Sequence, residues 1–201
     1  RSLRMLSLRM KKILVTGGTG FIGSHTVVEL TQAGLEPVIV DDYSNSAPSV
    51  LEGLRAILGH DVPHYVADCN DAVALRAIFD REQLAGVIHF AASKAVGESV
   101  QQPLKYYANN LGSLTTLLRT MLDAGCPHLV FSSSCTVYGQ PDHLPVSEES
   151  PVRPAESPYG NTKRVGEEII RDTVRSQAPL KAIALRYFNP IGAHPSARIG
   201  E

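Results

Sequence analysis

The sequence has no tryptophan, only three methionines and three cysteines, and no apolar run near the about 18 residues a membrane span needs. Cys69, Cys126 and Cys135 are odd in number and scattered, with no C-x-x-C spacing. That excludes a disulfide framework and a structural zinc site and fits a reducing, cytoplasmic address. Neither sign of charge dominates: 19 Lys and Arg against 20 Asp and Glu leave a formal net charge of -1. Nucleic acid and anionic membranes therefore find no electrostatic hold, and a small molecule is the expected partner. His60 and His64 share a helical spacing, but Pro63 between them breaks the helix a metal pair would need.

What is present is ordinary globular material, 201 residues at 43% hydrophobic, enough for one domain with a sizeable core. Residues 1–11 form a basic leader without an acidic residue. Arg4 and Arg9 interrupt its apolar stretch and no small-residue cleavage site follows, so it reads as an upstream extension or disordered tail, with the folded domain at 12–201.

Beyond the leader, short apolar runs alternate with longer amphipathic ones, the pattern of β-α-β units in a parallel sheet. Strands are expected at Lys12 to Thr16, Pro37 to Val40, His64 to Ala67, Val87 to Phe90, Leu129 to Ser132 and Ala182 to Leu185, mostly without polar alternation, as when both faces are covered. Helices are expected over Phe21 to Ala33, with Ile22, Val27 and Leu30 toward the sheet, and over Tyr106 to Ala124, with Leu111, Leu114, Leu117, Leu118 and Leu122. The proline-rich stretch from Gln140 to Pro158 has no periodicity and reads as a loop lying over an active site. The fold class is α/β, a doubly wound parallel sheet of the Rossmann type, which binds ligands outside the carboxyl ends of its strands.

Directly after the first strand comes TGGTGFIGSH, with Gly17, Gly20 and Gly23 at a strand-to-helix turn. Such glycines let the chain turn sharply, let backbone reach a pyrophosphate, and let the helix pack close to the strand with its amino end facing the anion. Asp41 ends the second strand. A carboxylate there accepts from both ribose hydroxyls of NAD and repels the 2′-phosphate of NADP, and no arginine follows in DDYSNS.

Tyr159 and Lys163 are four apart after Pro158, a good first-turn residue, so a helix presents both on one face. An ammonium one turn away, together with the positive nicotinamide ring, would favour the phenolate of Tyr159 and make it a usable base. FSSSCTVYG puts Ser132, Ser133 and Ser134 at the end of the fifth strand, where a hydroxyl can relay a proton or simply satisfy loop backbone. The second role suits Ser132; either suits Ser133. Cys135 has no neighbouring base and reads as a packing residue, and the charge run from Arg164 to Arg171 as a solvated helix face.

TGGTGFIGSH, HFAASKAVGESV, FSSSCTVYG, SPYGNTK and RYFNPIGAHPS, in this order, closely resemble the UDP-glucose 4-epimerases of the extended short-chain dehydrogenase/reductase family. The resemblance implies reversible C4 epimerisation of UDP-glucose and UDP-galactose through a 4-keto sugar, with tightly bound NAD and with Ser134, Tyr159 and Lys163 as catalytic residues. It implies cofactor contacts from Gly17, Gly20, Phe21, Ile22, Gly23, Asp41, Asn45, Ser46, Asp68, Phe90, Ala91, Lys94, Asn109, Ser134, Tyr159, Lys163 and Phe188. Sugar-nucleotide contacts would come from Ser134, Tyr159 and Asn189, and no metal is implied. Full-length relatives pair as homodimers through the helices that correspond to those from Tyr106 and Tyr159.

Ala92 and Ser93 stand where a Gly-Leu pair is common in such enzymes, Ala197 where a glycine is common, and Cys69 where an aliphatic residue is usual. The family continues past this length into a substrate domain, so Glu201 reads as a truncation, with that domain largely missing and the piece alone inactive. Other NAD-dependent nucleotide-sugar 4-epimerases and a non-catalytic NAD-binding module are the alternatives. A sugar-nucleotide 4,6-dehydratase would carry an Asp-Glu pair where this chain has Cys135 and Thr136.

Overall fold

A computed structural model describes residues 11–200; the basic leader, Lys11 apart, and Glu201 fall outside the described residues. The strands are β1 (Lys12–Thr16), β2 (Glu36–Asp41), β3 (His64–Val66), β4 (Gly86–His89), β5 (His128–Ser134) and β6 (Lys181–Tyr187). They form one sheet of order β3-β2-β1-β4-β5-β6, parallel throughout. This is the doubly wound arrangement, with its reversal of strand order between β1 and β4.

Alternation along each strand divides the core in two. Leu14, Val38 and Val40 face one side, packing with Leu75 and Phe79 of α3 (Ala72–Glu82), Leu114, Leu117 and Met121 of α6 (Gly112–Asp123), and Ile170 of α7 (Pro158–Arg175). Val15 and Ile39 face the other, meeting Val27 and Val28 of α1 (Phe21–Gln32) and Leu54 of α2 (Ser49–Leu58). Neighbouring strand residues pointing to opposite faces, both covered, explain why these runs lack polar alternation. β6 departs from that expectation: Ile183 is 61% and Leu185 40% exposed on a face no described helix covers.

Ile199 is buried in the second cluster, so the chain after β6 returns across the molecule to α2. A Cβ on Gly53 there would overlap the Arg198 carbonyl. Before that return Ala197 has φ +54, a left-handed conformation that suits glycine.

The helix expected from Tyr106 is irregular. It runs as α5 (Pro103–Tyr106), a π-helical turn over Tyr107–Leu111, and α6, after the short α4 (Val96–Gln101). In α1 the sheet-facing residues are Val27 and Val28, with Leu30 half-buried and Ile22 turned to the crevice described below. Among the described residues no helix is long and apolar enough to cross a membrane.

Candidate active site

A crevice of about 490 Å³ opens at the carboxyl ends of the strands. Every site residue singled out from the sequence lines it: the glycine turn with Phe21 and Ile22, Asp41 with Asn45 and Ser46, Asp68, Phe90, Ala91, Lys94, Asn109, then Ser134, Tyr159, Lys163, Phe188 and Asn189. The proline-rich loop is different. It forms no helix or strand, but it contributes no lining residue and so does not lie over the crevice. It closes on itself through Gln140 and Glu156 and through the Arg153–Asp142 pair. Its service to the site is at its exit, where Ser157 caps α7 by accepting from the Gly160 amide at 3.1 Å, with Pro158 at the first turn.

The turn after β1 is built by subtraction. Gly17 has φ +69, and a Cβ on it would sit 2.8 Å from the Ala91 nitrogen; a Cβ on Gly23 would overlap the Gly17 carbonyl oxygen. Glycine is thus required both for the backbone angle and for the approach of α1 to β1, and that approach leaves the helix amino end facing open crevice. Asp41 at the end of β2 is buried. Its Oδ1 accepts from the Tyr43 amide at 3.0 Å and the Ser46 hydroxyl at 2.9 Å, and its Oδ2 from the Thr19 amide at 3.0 Å. A carboxylate has about four acceptor positions, so one is open, and two ribose hydroxyls are both received only when Ser46 gives up its bond.

At the other end α7 lies against β5. Lys163 is 5% exposed, its Nζ donates to the Ser132 carbonyl at 2.8 Å and sits 5.9 Å from the centre of the Tyr159 ring. Burial pushes this lysine down from 10.5 to about 8. The phenol of Tyr159 hydrogen-bonds Ser134, which draws its pKa down, but burial acts first and more strongly, so the pKa is raised. In the protein alone desolvation outweighs the hydroxyl; the sequence reading needs the positive nicotinamide ring as well as Lys163, and so concerns the NAD-bound protein. Beneath the lysine, His89 is buried, bonded to Thr16 Oγ1 at 2.7 Å and held neutral by burial, with its pKa near 3.

One group here escaped the sequence reading. The run from Arg164 to Arg171 is not simply a solvated face, because Glu167 is 7% exposed. It accepts from Ser133 Oγ at 2.5 Å and from Arg186 at 2.9 and 2.7 Å. Tyr159, Lys163 and Glu167 recur every four residues along one face of α7, and that spacing was the available signal. Ser133 is thereby committed to Glu167, while Ser132 serves through its carbonyl. Cys69 is buried with a thiol pushed up to about 12, largely by burial, which keeps it inert.

Residues 13–200 match the NAD dependent epimerase/dehydratase family. UDP-glucose 4-epimerase 2 of Arabidopsis thaliana is 50% identical over 194 residues, 95% of this chain and 55% of that protein. The crystal structure of UDP-glucose-4-epimerase from Stenotrophomonas maltophila, with bound NAD and formylated UDP-arabinopyranose, has TM-score 0.92 and 46% identity, covering 95% of this chain and 56% of that one. That of UDP-glucose 4-epimerase from Bifidobacterium longum, in complex with NAD+ and UDP, has TM-score 0.93 and 44% identity, covering 95% and 57%. The chain thus spans a little over half the length of these relatives.

Proposed function

This chain belongs to the NAD dependent epimerase/dehydratase family, and on that premise we propose that it is the NAD-holding part of a UDP-glucose 4-epimerase. The observation that carries the reading is the union, in one crevice, of a glycine turn that a Cβ would fill and a Tyr159–Lys163 pair on α7. Backbone amides of the turn would hold the pyrophosphate, Asp41 the adenosine ribose, and Lys163 the nicotinamide ribose. When bound, NAD supplies a hydride acceptor for the sugar C4 and a positive ring beside the phenol.

The chain's own residues handle the proton. Tyr159 Oη, steadied by Ser134, takes the proton of the sugar 4-hydroxyl and returns it once the 4-keto sugar has turned over. Because burial raises this phenol, positive charge beside it is what makes proton uptake possible at neutral pH. Lys163 meets that need best when protonated. Phe188 and Asn189, at the mouth of the crevice, would border the sugar nucleotide. Cys135 and Thr136, without a carboxylate between them, disfavour the dehydratase alternative. The same reading carries a cytoplasmic homodimer paired through the helices from Tyr106 and Tyr159, which continue α5 and begin α7.

The test joins this chain to the remaining half of the Arabidopsis relative and supplies UDP-galactose without added nicotinamide. UDP-glucose should form, and Tyr159→Phe should lower the rate by roughly 10²- to 10⁴-fold. A dehydrated product, a need for stoichiometric NAD, or an unaffected Tyr159→Phe rate would refute the reading.

A further inference from the structure

Ser93 is held on every side. Its amide donates to Asn110 Oδ1 at 2.8 Å, its carbonyl accepts from Asn110 Nδ2 at 3.0 Å, and its hydroxyl oxygen accepts from Asn109 Nδ2 at 3.1 Å. The two asparagines come from the π-helical turn, which delivers neighbouring side chains to one loop. Ser93 itself lines the crevice, half-buried, beside Lys94.

The direction of these bonds is fixed from a distance. The Asp68 carboxylate only accepts, so Asn70 must turn its amide nitrogen toward it, at 2.9 Å. The same nitrogen then donates to Asn109 Oδ1 at 3.2 Å, which turns Asn109 Nδ2 toward Ser93 and toward Asn110 Oδ1 at 3.1 Å. Gly112 makes room for the chain of bonds, since a Cβ there would overlap Asn70 Oδ1. Ser93 Oγ is thus an acceptor from Asn109, which leaves its single proton for donation to a group in the crevice.

What should fill it there is an anion. Ala91 and Phe90 lie against Gly17 of the glycine turn, the Ala91 nitrogen at 2.8 Å and the Phe90 carbonyl carbon at 3.2 Å from a Cβ on that residue, so the loop carrying Ser93 and Lys94 borders the place where that turn receives a phosphate. We propose that Ser93 is a further binding residue, its hydroxyl donating to the pyrophosphate of the dinucleotide on the nicotinamide side, since the loop follows β4, across β1 from the Asp41 of β2, with Asp68, Asn70 and Asn109 setting its orientation. This rests on the NAD reading above.

The experiment titrates the purified chain calorimetrically with NAD, ADP and AMP. Ser93→Ala should weaken NAD and ADP alike by about tenfold, as for one hydrogen bond to a charged group, and leave AMP unchanged. Ser93→Thr should restore both. Asn70→Leu, which releases Asn109, should weaken NAD in the same sense with the Ser93 hydroxyl intact. Unchanged NAD affinity in Ser93→Ala overturns the proposal, as does a loss for NAD that spares ADP, which would put the hydroxyl beyond the pyrophosphate, on the nicotinamide ribose, or an equal loss for AMP, which would mean general disruption. A wild-type chain that takes up no NAD overturns the parent reading instead.

Discussion

The two ends of the crevice are made by opposite means. At the glycine turn, function depends on side chains that are absent: Gly17 and Gly23 let α1 begin close against β1, and a methyl group at either position meets backbone atoms. Across β4, at β5 and α7, it depends on charged side chains that are present and buried: Lys163 against a carbonyl, Glu167 against Ser133 and Arg186. A steric device fails with one added carbon and ignores pH. An electrostatic device tolerates changes of shape better and responds to every proton.

The contrast breaks most sharply at Gly23. Gly23→Ala forces α1 away from β1 and should cost about 3 kcal/mol or more in urea unfolding, with no dependence on pH; a loss below about 1 kcal/mol would show that the turn relaxes easily. The charged end should behave in the other way. Lys163 titrates near 8 when folded and near 10.5 when unfolded, so between those values the unfolded chain holds a proton that the folded one has released. Stability should therefore rise with pH across that window, and the penalty is present in full below it. Measured as the difference from Lys163→Met, the gain between pH 8 and pH 10.5 is at most about 3 kcal/mol; a flat difference would mean the lysine is not desolvated.

Glu167→Gln should lower stability by about 2 kcal/mol by leaving Arg186 without its counter-charge at the edge of the core, and salt should change that figure less than it changes an exposed pair. The smallest effect falls outside both ends. Ala197 has a left-handed backbone, so Ala197→Gly should raise stability by about 1 kcal/mol, read as a shift of the thermal midpoint.

Much of the fold was legible because a buried parallel strand cannot hide. Runs such as KILVT and PVIV are apolar on both faces and carry their own ends in the turn residues beside them. The glycine turn was legible for the same reason, each glycine answering a local backbone need. What escaped is non-local. Glu167 looks like any helical glutamate until Arg186 arrives from β6, and the Asp68–Asn70–Asn109–Ser93 bonds join segments 39 and 16 residues apart. The π-helical turn leaves Leu114, Leu117 and Met121 in helical register on its far side, so apolar spacing alone does not register it. The proline-rich loop misled because length and composition speak of irregularity, not of which surface a loop covers. β6 misled because an apolar run does not say which of its faces is covered.

The proposed chemistry depends on how charge reaches the half-buried phenol, and ultraviolet titration of Tyr159 tests it directly, as the difference between the wild-type chain and Tyr159→Phe among its seven tyrosines. Without NAD the phenol should titrate above its ordinary value of 10; with saturating NAD it should fall by about one pH unit or more as the positive ring settles beside it. A titration that NAD leaves unmoved, or drives higher, would contradict the account.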